Sequence, residues 1–110
     1  MGRMSQRKGR TGEKELCSVL NHSGYDVKCG EPVSFGSVPD LYGLPGIHIE
    51  CKRVEKLNLL QAIRQAEYDA QRFHDGEPAV FHRRNRTPWI VSMPLSSWLK
   101  LYGGRLPPGS

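Results

Sequence analysis

The sequence predicts an α/β domain, a sheet with helices packed on it, in the order α-β-β-β-α-β-β-α. Three observations carry that expectation. Apolar residues recur at helical spacing in three segments, within 11–24, 58–75 and 95–104. Between and around the first two lie five short runs of alternating, β-branched or aromatic residues. Gly, Pro and Asn stand at the junctions, where helices stop and strands turn. With 110 residues the chain has material for one modest core. A single domain is therefore expected over residues 11–104, with a flexible basic arm at 1–10 and a disordered tail at 105–110.

Each element has its own signal. Thr11 is a good N-cap, and Leu16, Cys17 and Leu20 then form an apolar stripe that Gly24 ends. Tyr25, Val27 and Cys29 alternate with Asp26 and Lys28, the period of a half-buried strand. GEPVSFGSVP, residues 30–39, is dense in turn formers and is expected as a loop or irregular edge strand. Asp40 to Tyr42 begins a strand, Gly43-Leu44-Pro45-Gly46 supplies a hairpin turn, and the return strand runs from Ile47 to about Val54. Asn58 caps a second helix with Leu59, Ile63, Ala66, Ala70 and Phe73 on one stripe, stopping near Asp75-Gly76. Ala79–His82 and Trp89–Val91 are two strands joined by the basic turn HRRNRTP. Leu95, Trp98, Leu99 and Tyr102 fit a last short helix ended by Gly103-Gly104.

Composition narrows the function classes. Apolar residues make up 37% and charged residues 25%, as in folded globular domains. No apolar run approaches the roughly 20 residues that a membrane span needs, and the basic N-terminus lacks the apolar segment of a secretory signal. Three cysteines, Cys17, Cys29 and Cys51, are an odd number without metal-site spacing. They are expected as reduced, partly buried thiols of a cytoplasmic protein. The formal charge is +5, with Arg3, Arg7, Lys8, Arg10 and Lys14 in one cluster and His82, Arg83, Arg84 and Arg86 in another. Such clusters favour polyanions through counterion release, and they also serve as plain solvated faces.

The chemistry concentrates in PDLYGLPGIHIECK, residues 39–52. Side chains alternate faces along a strand, so Ile47, Ile49 and Cys51 point to a helix-packed core while His48, Glu50 and Lys52 share the other face. Asp40, across the turn, is placed to approach Glu50. Two carboxylates this close repel unless a proton or cation sits between them, and a hard ion such as Mg2+ suits the pair. Lys52 would stand beside that ion. The alternative is a water-facing polar surface with Glu50 and Lys52 as an ordinary ion pair. Glu13 adds a carboxylate three, four and seven residues before Leu16, Cys17 and Leu20, on the buried stripe of the first helix. Interaction with the helix N-terminus explains it equally. His48 is expected to be a surface histidine.

Asp40, Glu50, Cys51 and Lys52 resemble the P-D…E-x-K signature of the restriction-endonuclease-like nuclease superfamily. GEKEL, residues 12–16, is similar to the first-helix acidic motif of its archaeal-type Holliday junction resolvase branch, whose small phage-encoded members are similar in length and in the ending HRRNRTPWIV. The resemblance spans roughly Arg7 to Val91. It implies a restriction-endonuclease-like core, a mixed central sheet of about five strands flanked by helices. It further implies Asp40 and Glu50 as metal ligands, completed by the Cys51 backbone carbonyl, Glu13 as a third acid acting on the metal directly or through water, and Lys52 as the catalytic lysine. A loop serine, Ser34 or Ser37, and a helix glutamine, Gln65 in preference to Gln61, would complete the set.

The activity so implied is that of a Mg2+-dependent DNA endonuclease, Mn2+ substituting, in which a metal-activated water attacks a phosphodiester. Arg7, Lys8, Arg10, Arg53, Arg83, Arg84 and Arg86 would hold backbone phosphates. A four-way junction needs two symmetric cuts and hence a homodimer, for which Trp89, Trp98, Leu99 and Tyr102 are candidate interface residues, or else core. No organic cofactor is expected. A nicking, flap-cutting or repair nuclease of the same superfamily, and a non-catalytic basic DNA-binding protein, are the competing readings.

Overall fold

The computed structural model describes residues 2–29 and 38–104, with side chains from residue 11 onward. Its elements are α1 (Gly2–His22), β1 (Lys28–Cys29), β2 (Leu41–Tyr42), β3 (Ile47–Arg53), α2 (Leu59–Phe73), β4 (Glu77–Arg83), β5 (Ile90–Ser92) and α3 (Leu95–Gly103). The order is the expected one. The expected tail at 105–110 and the loop serines Ser34 and Ser37 lie outside the described residues, as do the side chains of Arg7, Lys8 and Arg10.

Thr11 does not cap α1, whose backbone continues to Gly2. Residues 2–10 contain no proline, so no missing N–H stops the helix at Thr11. Leu16 is 1% exposed, and Cys17 and Leu20 pack beside it as their spacing requires. Asn21 closes the helix end: its side chain accepts from Val27 N at 2.6 Å and donates to Val27 O at 3.0 Å. Both polar groups of a buried peptide are thereby satisfied, as burial demands. Val27 is consequently anchored to α1, and the strand starts only at Lys28.

The strands form two sheets among the described residues, β1-β2 and β3-β4-β5, rather than one of five. The expected hairpin between β2 and β3 is absent. Instead β2 pairs antiparallel with β1, Lys28 opposite Tyr42 and Cys29 opposite Leu41. Gly43 explains the difference, since its backbone lies against the Asp26 carbonyl and 3.0 Å would separate a Cβ there from Val27 Cα. Its φ of +122° suits glycine alone. The following turn closes through Ile47 N donating to Leu44 O at 3.1 Å, which redirects the chain into β3.

From β3 the chain crosses through α2 to β4, which runs parallel to β3 in the register Glu50–Val80 and Cys51–Phe81. A parallel pair needs such a crossover. Asn58 caps α2 as expected, accepting from Gln61 N at 3.2 Å, and His74 ends it in the left-handed conformation at φ 52°. The buried face of α2 is Ala62, Ala66 and Ala70. Small side chains let the helix lie close on the sheet. The basic turn returns the chain as β5, antiparallel to β4.

Two cores flank the β3-β4-β5 sheet. Leu16, Val27, Leu41, Ile49, Ala79 and Phe81 pack beneath α1, and Ala62, Ala66 and Val80 beneath α2. Leu16, Leu41 and Val80 are fully enclosed, and truncating either leucine to alanine costs about 2–5 kcal/mol. No helix among the described residues is long and apolar enough to cross a membrane.

Candidate metal centre

The alternation along β3 has the predicted sides, but neither side faces open water. Ile49 and Cys51 point to the α1 core, while Glu50 shares the side of Val80, over which α2 lies. His48 is not the expected surface histidine: it is 2% exposed. The cleft between β3 and α2 is small, about 70 Å3, and is lined by Pro39, Asp40, His48, Glu50, Asp69 and Phe73, among others.

Donor atoms of His48, Glu50 and Asp69 lie within 4.8 Å of one another. Carboxylates this close repel, and a positive charge near them, here Lys52 beside Glu50 and Arg72 beside Asp69 or a bound cation, offsets that repulsion. Asp40 stands next to this group. Its carboxyl titrates above the ordinary range, first because protein crowds it and then because Glu50 and Asp69 add negative charge, offset in part by Lys52 and His48. Lys52 Nζ is 3.9 Å from Glu50 Oε2, the proximity expected for alternate residues of one strand.

His48 is held from behind. Its Nδ1 lies 3.0 and 2.9 Å from the two oxygens of Asp75. An ionised carboxylate only accepts, so Nδ1 carries the hydrogen and Nε2 presents the other face of the ring. Nε2 is 3.7 Å from Glu50 Oε1, beyond hydrogen-bond range, and has no partner. Burial opposes the charged imidazole, yet Glu50 and Asp75 outweigh it and its pKa is raised. The ring stacks on Phe73, centroids 6.2 Å apart and planes inclined by 13°.

Asp69 is the residue that sequence reasoning missed. It projects from α2, accepts from Gln65 Nε2 at 3.0 Å, and lies 3.8 Å from Arg72 Nε. Both glutamines are exposed, and Gln65 touches the cleft only through this surface bond to Asp69. One signal was legible: Asp69 follows Ala62 and Ala66 by seven and three residues, which puts a carboxylate on the buried stripe of the helix.

Glu13 is not part of the His48–Glu50–Asp69 group. It sits on α1, and its charge is felt at Cys51 and Cys29 on the opposite side of β3. Burial first, then the charges of Glu13, Glu50 and Glu15, push the Cys51 thiol up to about 12. Cys17, Cys29 and Cys51 are all free. Arg53 and Arg83 are already engaged: both reach the Glu15 carboxylate, Arg53 also bonds Asn85 at 3.1 Å, and Arg83 Nε donates to Thr87 O at 2.6 Å. Arg84 and Arg86 are exposed on the turn.

The aromatic C-terminal residues divide. Trp89 packs against the α1 core, whereas Trp98, Leu99 and Tyr102 are 47%, 52% and 49% exposed on α3. Only Ser97 of that helix is buried. No family model, curated protein or solved structure matches the chain.

Proposed function

We propose that the chain is a metal-dependent endonuclease acting on DNA, and that it nicks four-way junctions as a homodimer. The observation that carries this reading is the convergence of Asp40, Glu50, Asp69 and His48 in one cleft with Lys52 beside Glu50. Three carboxylates gathered around an imidazole nitrogen that has no hydrogen bond fit a divalent cation, even with Lys52 and Arg72 paired to two of them at 3.9 and 3.8 Å. A purely DNA-binding role leaves the carboxylates as repulsive to phosphate.

A bound divalent cation would supply Lewis acidity to a phosphate oxygen and an activated water. Glu50 and Asp69 would hold it, with Asp40 contributing from the β2 side. Gln65 fixes the Asp69 carboxylate in place. The Lys52 ammonium is positioned to oppose charge developing on the phosphate. Arg84 and Arg86 would grip the DNA backbone without reading sequence. The restriction-endonuclease-like assignment belongs to this proposal, the β3-α2-β4 unit and the acidic cleft being its support.

The dimer rests on α3, whose exposed Leu95, Trp98, Leu99 and Tyr102 are more apolar surface than one short helix needs in water. Trp98 and Tyr102 stack with centroids 4.9 Å apart, which presents a flat face.

The test is a cleavage assay on a labelled four-way junction and a matched linear duplex, with Mg2+ or EDTA, comparing wild type with Asp40→Asn. Paired symmetric nicks confined to the junction, lost with EDTA and in the variant, are the expected result. Binding without cutting under every metal would overturn it.

A further inference from the structure

We infer that the centre takes a cation that accepts a nitrogen ligand, Mn2+ or Zn2+ in preference to Mg2+, with His48 Nε2 as a direct ligand and Asp75 as the residue that aims it. This rests on the metal-centre reading above and adds the identity of the ion.

The starting point is a buried nitrogen without a hydrogen bond, its nearest charged neighbour being Glu50 Oε1 at 3.7 Å. Nε2 of a 2%-exposed histidine lies beside two carboxylates and has no hydrogen-bond partner. A structural histidine would have both nitrogens satisfied, because an orphaned polar atom in a protein interior is costly. Here only the far nitrogen is satisfied, by the two Asp75 oxygens at 3.0 and 2.9 Å. In the neutral ring, the form that binds a metal, that hydrogen bond leaves the lone pair on Nε2. Carboxylate behind, imidazole between, and acids in front is the arrangement by which proteins orient a histidine towards a metal.

Packing restrains the orientation of the ring. Phe73 stacks on one side, which resists rotation of the imidazole away from Glu50 and Asp69. Asp75 is itself held between the α2 C-cap, His74, and the start of β4 at Glu77, whose N–H donates to Gly46 O at 2.8 Å. The donor set is therefore one imidazole and two carboxylates, with Asp40 adjacent. Mg2+ prefers an all-oxygen shell, whereas first-row transition ions and zinc gain from the nitrogen.

Calorimetric titration of the intact protein, without DNA, tests this with Mn2+ and Mg2+ on wild type, His48→Gln and Asp75→Asn. Mn2+ should bind at least about 10-fold more tightly than Mg2+ to wild type, and His48→Gln should close that gap. Asp75→Asn should cost about 10-fold or more in Mn2+ affinity, in line with other such supporting carboxylates, while Mg2+ affinity stays within about two-fold. Because a variant at His48 can disturb folding, a readout on unaltered protein accompanies it: the 15N resonance of His48 Nε2 should move on addition of Zn2+ and stay in place with Mg2+. Equal Mn2+ and Mg2+ affinities with an unmoved resonance would overturn the nitrogen ligand yet leave an all-oxygen centre standing. Failure of every dication to bind would overturn both. Neither outcome depends on DNA cleavage.

Discussion

Glu15 on α1 and Arg83 on β4 form an ion pair across 68 residues of sequence. The same carboxylate accepts from Arg53 Nε on β3 at 3.3 Å. One acid thus joins a helix to two neighbouring parallel strands, and both arginines serve the fold. Glu15→Gln should lower stability by about 1–3 kcal/mol, because two partly buried guanidinium groups lose a charged partner. Chemical denaturation measures this. A variant as stable as wild type would show that the two arginines find other partners.

The basic turn divides accordingly. Arg84→Ala and Arg86→Ala should each weaken DNA binding at every sequence and reduce the slope of log K against log salt by about 1. Arg83→Ala should act mainly on the melting temperature. Fluorescence anisotropy at several salt concentrations separates the two kinds of effect.

Asp69→Asn should reduce cleavage by more than about 100-fold, beyond the 10–100-fold typical of a residue that only supports a ligand. Gln65→Ala, which frees Asp69 without removing it, should fall within that lower range. Single-turnover rates at saturating metal decide the order. Should Gln65→Ala prove the more damaging, the helix glutamine would be acting on substrate directly.

Gly12 lies buried in α1 against β3, where a Cβ would collide with Cβ of Arg53. Replacing a helix glycine by alanine ordinarily stabilises by about 1 kcal/mol. At Gly12 the sign should reverse, with a loss of about 1–3 kcal/mol from overpacking. Gly103→Ala, at the end of α3 with open space around it, should not destabilise. Thermal melts of the pair give the comparison.

His82 supplies a pH test. Burial alone pulls its imidazole below the ordinary value of 6.5, while Nε2 lies 2.8 Å from Ser92 Oγ. As pH falls through 6.5 the unfolded chain gains this proton before the folded one does, so the stability from neutral His82 is complete above 6.5 and is lost towards the lower folded value. The melting temperature of wild type should therefore drop more between pH 7.5 and 5.5 than that of His82→Gln. Groups common to both proteins cancel in the comparison. Equal drops would place the acid sensitivity elsewhere.

The residues whose placement was legible in the sequence share one property, local periodicity. Glu50 and Lys52 could be put on one side of a strand because alternation is built into the extended backbone. The Asn58 cap followed from residue type, and Ala66 and Ala70 of the α2 face from helical spacing, while the third buried alanine, Ala62, lay outside the expected stripe. Asp75 was visible only as a helix stop, since nothing local ties it to a histidine 27 residues earlier. His48 looked like a surface residue because α2, which encloses it, arrives from a distant part of the chain.

The sequence by itself determined the order of the elements, the Asn58 cap and the stop of α2, and the sidedness of β3, since these depend on dihedral preferences and spacing within a few residues. The tertiary structure alone decided that β2 joins β1 rather than β3, that Glu15 claims Arg53 and Arg83, and that Asp69 and Asp75 meet Glu50 and His48. Those outcomes depend on which apolar faces bury each other. The burial of alanines from α2 on the β3–β4 pair sets where its polar residues fall, and no short window of sequence contains both partners.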